Sequence, residues 1–161
     1  MNAVTESLPM RMRRMRDEDL PGVIENEEAA YAHPWTLGIM RDCMRVGYQC
    51  VVGQIAGRVM AHGIMSLAAG ESHVLNICIH PDWQGQGHGR RMLEHLMDLA
   101  LQQGASHVFL EVRASNEVAQ QLYLSLGFNE IAQRPGYYPG KQGRETALIF
   151  AKTLAEQAAR D

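Results

Sequence analysis

The 161-residue sequence predicts a mixed α/β fold, with a central β-sheet of about seven strands flanked by about four helices. Three observations predict it. Strand-like and helix-like segments follow one another in the order βααβββαβαββ. Two of the helical segments carry apolar residues at helical spacing. Each of these follows a short β-rich run, and such strand–loop–helix units are where α/β proteins tend to bind ligands. No repeat or low-complexity segment interrupts the pattern, and the length suits one domain over residues 1–161.

"MRMRRM" from Met10 alternates roughly and reads as the first strand. "RDEDLPGVIENEEAAY" follows as a helix whose acidic start suits the positive end of the helix dipole. Pro34 in "HPW" breaks it. Thr36 caps a second helix, "LGIMRDCMRV". "YQCVVGQIAGRVMAHGIMSLA" is a hairpin turning near Ala56 and Gly57, and "SHVLNICIH" is a strand stopped by Pro81. In "GRRMLEHLMDLALQQG", Met92, Leu93, Leu96, Met97 and Ala100 form one apolar stripe, and Gly104 ends the helix. "HVFLEV" is a buried strand. "SNEVAQQLYLSLG" is a helix capped by Asn116 and closed by Gly127. "FNEIAQRPGYY" and "ETALIFAKTL" are the last strands, and "AEQAARD" is expected to fray.

The composition is ordinary for a globular protein, at 46% hydrophobic and 20% charged residues. A net charge of -3 argues against general nucleic-acid binding. "RMRRMR" (Arg11 to Arg16) reads as a solvated strand face. Three cysteines with no CxxC and no Cys/His ligand spacing argue against disulfides and metal sites, and for buried thiols in a reducing compartment. No run is long and apolar enough to span a membrane, and no signal peptide is visible. The expectation is a cytoplasmic protein.

The stretch "PDWQGQGHGRRM" places three glycines and two arginines at the start of a helix. Unpaired N–H groups and the dipole make a helix N-terminus attractive to anions, and glycines let the backbone approach closely. A phosphate cradle and a tight turn that merely needs φ > 0 both fit. Spacing excludes two nucleotide motifs. No Gly-Lys pair is followed by Ser or Thr, and the dinucleotide fingerprint would need glycine at Arg90 or Met92.

The stretch does match [QR]xxGx[GA], as Gln84-Gly85-Gln86-Gly87-His88-Gly89. In this the chain resembles the GNAT superfamily of N-acetyltransferases, whose element order is the one read above. "HPW", "LEVRASNEVAQQLYLSLGF" and "YYPGKQGRETA" narrow the resemblance to the ribosomal-protein-alanine N-acetyltransferases. Gly85, His80 and Thr146 depart from residues common in that family. The resemblance implies acetyl-CoA as co-substrate, held by Gly85, Gln86, Gly87, His88, Gly89 and Arg90. The backbone of Ile77, Cys78 and Ile79 would lie beside the pantetheine as an added strand would. It also implies an acceptor that is the N-terminal peptide of a ribosomal protein. A small amine, amino acid or antibiotic as acceptor is the alternative, as is a non-catalytic acyl-CoA-binding module.

Acetyl transfer to an amine needs a base for the amine and an acid for the leaving thiolate. Glu111 closes an apolar strand, where a charge needs a reason. It is either a general base or a carboxylate paired with Arg113 or Arg13, and the resemblance favours the base. Tyr123 is either a core tyrosine or the general acid that the family places there. Asn116 can bind cofactor as well as cap. Cys78, inside an apolar strand, reads as inert rather than as an acyl carrier. Tyr31, Trp35, Tyr137 and Tyr138 are candidate walls of the acceptor groove. Glu25, Glu27 and Glu28 either attract a basic peptide or form a solvated helix face. His62, His73 and His107 show no partner spacing, and His88 is expected to point outward.

Overall fold

The computed structural model describes residues 9–140 and 143–154; the expected fraying of "AEQAARD" lies outside them. The elements are β1 (Arg11–Arg14), α1 (Leu20–Ala30), α2 (Leu37–Arg45), β2 (Gln49–Ile55), β3 (Arg58–Ala68), β4 (Glu71–Ile79), α3 (His88–Gln102), β5 (His107–Arg113), α4 (Glu117–Ser125), β6 (Asn129–Gly140) and β7 (Gly143–Thr153). This is the expected order. The strands form one mixed sheet, β1-β2-β3-β4-β5-β7-β6. The chain forms two compact units, residues up to Met65 with Asn76–Leu96, and Ser66–Leu75 with Met97 onward.

In the first unit β1 and β3 both pair antiparallel with β2. The β2–β3 hairpin turns through Ala56 (φ 51°) and Gly57 (φ 78°), two consecutive left-handed residues whose twist matches that of the strands. Beneath the sheet, Met15, Leu20, Val23, Met40, Cys43, Cys50, Val52 and Ile64 form a buried cluster closed by Ile24 and Trp35. Met92 and Leu96 of α3 come so close to β3 that a Cβ on Gly63 would lie 2.9 Å from Leu96 Cδ1. The cradle helix is therefore seated by its apolar stripe.

Two local readings change here. The acidic start of the first helical segment is a 3-10 turn, Asp17–Asp19, before the α-helix begins. Asp19 is buried and takes a bidentate bond from Arg13, at 2.7 Å to each oxygen, plus the Arg16 N–H at 2.8 Å. Arg13 thus belongs to an internal pair, so the basic run is not a uniformly solvated face.

In the second unit β4 runs parallel to β5 from Glu71↔His107 to Val74↔Leu110. β5 and β6 flank β7 antiparallel. Along β5, Val108, Leu110 and Val112 are buried, while Phe109, Glu111 and Arg113 share the half-exposed face. α4 is capped by Asn116 Oδ1, which accepts from Ala119 N at 3.1 Å. Gly127 (φ 91°) ends it, and Lys152 Nζ donates to Leu126 O at 2.6 Å.

Candidate active site

The glycine loop lies in the first unit. A 3-10 turn, Pro81–Trp83, leads out of β4. Gly85 (φ 77°) and Gly87 (φ 83°) then take left-handed conformations, both exposed, immediately before α3. Apart from Gly85 itself and its chain neighbours, no atom of the described residues lies within 4 Å of where a Cβ on Gly85 would sit. Bare backbone, open space and a helix N-terminus coincide there, which fits a pyrophosphate. Arg91 Nη1 braces the turn, donating to Gln86 O at 3.3 Å and contacting His88 Nδ1 at 2.9 Å.

His88 does not point outward. It is 1% exposed, edge-on to Trp83 at 6.4 Å, and its Nε2 has no hydrogen-bond partner among the described residues. Burial, with the Arg91 charge beside it, holds its pKa below the ordinary value. The reason is helical geometry: as the first residue of α3, His88 precedes the Met92 stripe by four positions and shares its inward face.

The β4–β5 ladder ends at Val74↔Leu110. Further along β4, side chains take up carbonyls: Tyr31 Oη–H donates to Ile77 O, and Gln84 Nε2 donates to Ile79 O at 2.9 Å. Between them Cys78 is fully buried. Its thiol donates to Asn26 O at 3.5 Å, and desolvation pushes its pKa far up. A thiol so held is a poor nucleophile, which removes the basis for an acyl-carrier role.

Beside Cys78 stands a cluster that sequence spacing did not reveal. Glu27 was expected to face a peptide or solvent, but it is fully buried. Its Oε2 bonds His62 Nε2 at 2.7 Å and accepts from Asn76 Nδ2 at 3.1 Å, while Oε1 accepts from Trp35 N at 2.9 Å. Burial pushes the carboxyl pKa up, and these bonds outweigh it, leaving the group below the usual range. The carboxylate of Glu27, a ring nitrogen of His62 and Sγ of Cys78 lie within 4.8 Å of one another, although the residues stand 35 and 16 positions apart along the chain. Glu25 and Glu28 are exposed. Trp35, a candidate groove wall, is half-buried and packs on the first-unit core.

The second unit carries the candidate acid and base. Glu111 pairs with Arg134 Nη1 at 3.4 Å, a partner the sequence did not suggest. Arg13 is committed to Asp19, and Arg113 donates to Pro139 O at 2.7 Å. Arg113 also lies over the Tyr138 ring, 4.5 Å from its centroid, and Arg134 over that of Tyr137 at 5.5 Å. The two tyrosines meet edge to face at 5.0 Å. Burial, with Glu111 and Tyr137 nearby, pushes the Tyr138 hydroxyl up to about 12. Tyr123 leans on Phe150 and Phe128, at 5.9 and 6.1 Å, and desolvation pushes its hydroxyl up to about 12. It is a packed aromatic residue that keeps its proton at neutral pH.

Two sequence stretches prove to be bonded to each other. Ser115 of "LEVRASN" donates to Glu145 of "GRE" through its hydroxyl at 2.6 Å and its N–H at 3.3 Å. Ala114 N donates to Thr146 O at 3.0 Å. Arg144 holds the Gly136 and Tyr137 carbonyls. Together they fix the tyrosine segment.

Residues 10–128 match the model of the acetyltransferase (GNAT) family. The chain belongs to that family. It is 41% identical over 137 residues to the [ribosomal protein bS18]-alanine N-acetyltransferase of Escherichia coli K12, covering 85% of this chain and 93% of that one. Its identity to the protein of the same name from Haemophilus ducreyi is 34%, covering 86% and 96%. The crystal structure of the Escherichia coli ribosomal-protein-S18-alanine N-acetyltransferase superposes with a TM-score of 0.86 at 37% identity, over 91% of this chain and 94% of that one. The acetyl-CoA-bound structure of yncA from Salmonella typhimurium shares the fold, with a TM-score of 0.77 at 22% identity, over 94% and 98%. The GNAT fold and the acetyltransferase class read from the loop and element order both hold.

Proposed function

We propose that this protein transfers an acetyl group from acetyl-CoA to the α-amine of the N-terminal alanine of ribosomal protein bS18, by direct attack of the amine. The observation that carries this reading is the 41% identity, across nearly the whole length of both chains, to an enzyme named for that reaction. The family model runs through both compact units, which supports one acetyltransferase domain over residues 1–161. A ribosomal-protein acceptor also supports a cytoplasmic site of action, with no need for the chain to bind nucleic acid itself.

Acetyl-CoA, when bound, supplies the thioester carbonyl. The N–H groups of Gly85 through Arg90 would hold the pyrophosphate, with the Arg90 side chain adding positive charge. The backbone of Ile77, Cys78 and Ile79 would align the pantetheine, and the Asn116 amide group not used in capping would assist. Glu111 would take the proton from the amine. That task is modest, because an α-amine with pKa ~7.7–8.0 is already about one-tenth neutral at pH 7. Tyr123 keeps its proton through neutral pH and would donate a hydrogen bond to the departing sulfur. Burial raises the phenol's proton affinity as well as the thiolate's, so the hydrogen bond stabilises the departing thiolate, which takes its proton from water on release. Tyr31, Tyr137 and Tyr138 would line the acceptor side. Trp35 would support it from the core, and Glu25 and Glu28 would attract basic residues.

A thiol-release assay with acetyl-CoA tests the reading. The panel is peptides beginning with alanine, peptides beginning with other residues, free lysine and small amines. Alanine-starting peptides should be the preferred acceptors. Equal or faster release with small amines would replace the reading with a small-amine acetyltransferase. Cofactor binding without turnover on any amine would replace it with a binding module.

A further inference from the structure

We propose that Arg134 occupies the place of the acceptor's ammonium in the acceptor-free protein, and that the acceptor binds by displacing it from Glu111. The inference rests on the reading that Glu111 serves the acceptor amine.

An N-terminal ammonium is a compact cation with N–H donors. A carboxylate to accept from it and aromatic faces to stabilise its charge are the groups that recognise it. Glu111 and Tyr137 offer both, and the Arg134 guanidinium uses both, 3.4 Å from the carboxylate and 5.5 Å from the ring centroid. Arg113 lies on the same face, but its hydrogen bond to Pro139 O ties it down over Tyr138.

The Arg134–Glu111 pair is built to open. The arginine side chain is 55% exposed and the glutamate side chain 28% exposed, so the guanidinium is already half in water and loses little when it leaves. Arg134 lies on an edge strand, and the β6–β7 register slips between Arg134 and Tyr138. β6 is exposed along nearly its whole length, so Arg134 can swing away without uncovering core. A half-exposed ion pair is weak, and an arriving ammonium competes on near-equal terms. Until then Arg134 keeps the carboxylate neutralised, and other cations must also compete for it.

The test compares wild type with Arg134→Gln and Arg134→Lys, using an alanine-starting peptide without acidic residues. Arg134→Gln should lower the peptide KM about two- to fivefold, the range an exposed ion pair supplies. The acetyl-CoA KM should stay at its wild-type value, and the unfolding midpoint should fall by only a few degrees, the shift that the loss of one exposed ion pair gives. Arg134→Lys keeps the cation and should return the peptide KM to near wild type. An unchanged or raised peptide KM in Arg134→Gln would overturn the proposal; a rise would mean that Arg134 helps to hold the acceptor. Absence of any α-amine acetylation by wild type would instead defeat the functional reading. Calorimetric binding of the same peptide in the presence of CoA then still decides, because Arg134→Gln must bind it more tightly.

Discussion

Replacing Glu27 with alanine should destabilise the protein by about 2–5 kcal/mol, the cost of leaving three buried or half-buried donors without their acceptor. The magnitude follows from the groups left behind. Three donors lose their acceptor: Trp35 N, Asn76 Nδ2 and His62 Nε2. His62 bears most of the loss, because it is fully buried and its Nδ1 already has no partner among the described residues. Neither tautomer can then satisfy the ring, at a cost of about 2–3 kcal/mol. Trp35 and Asn76 are half-buried and keep some access to water, so each adds about 1 kcal/mol or less. For a chain of this length the sum corresponds to a Tm lower by about 4–20 °C. Urea unfolding followed by far-UV circular dichroism at pH 7 measures it directly. Glu27→Gln keeps an oxygen for the Trp35 N–H and should lose less than the alanine variant. Acid titration gives an independent check. The folded carboxyl sits below its ordinary pKa, so its contribution is present above the unfolded value and is lost as pH falls through the folded one. The alanine variant should lack that part of the acid decline. A loss below about 1 kcal/mol in Glu27→Ala would refute the reasoning.

Three further outcomes are expected. Tyr123→Phe keeps the packing on Phe150 and Phe128 but removes the proton donor. It should lower kcat about 10²-fold or more with the acetyl-CoA dissociation constant unchanged, and a wild-type kcat would exclude the acid role. His88→Leu removes a buried nitrogen without a partner and should stabilise the protein by about 1–2 kcal/mol at pH 7. Because the folded state disfavours the His88 proton that the unfolded state accepts near pH 6.5, the advantage of the leucine variant in urea midpoint should grow as pH falls from 7 to 5. Ala56→Asn should add about 0.5–1 kcal/mol, since Ala56 holds φ 51° in an exposed hairpin turn where asparagine is better tolerated. An unchanged midpoint would show that the turn carries no strain.

The sequence alone determined the element order, the two apolar helix stripes, the Asn116 cap, the Gly104 and Gly127 stops and the glycine loop. All of these are local. Helix periodicity, capping and positive φ act over a few residues, so they can be read from neighbours in the chain. The family motifs added Glu111 and Tyr123 as candidates by type and place. His88 was misread because its polarity suggested an outward orientation, whereas the face it occupies on α3 sends it into the core. Glu27 was misread for the same reason, as one of several acidic residues on a helix.

The tertiary structure alone decided the partners. Glu27 meets His62, Asn76 and the Trp35 amide because α1, β3, β4 and the α1–α2 connection converge on one buried point. Glu111 meets Arg134 rather than Arg113 or Arg13, because β6 and β5 flank β7 and the other two arginines are engaged elsewhere. Ser115 meets Glu145 across 30 residues, which explains why "LEVRASN" and "GRE" act as one feature. Such pairings depend on sheet order and register, and those are set by burying whole faces rather than by any local spacing.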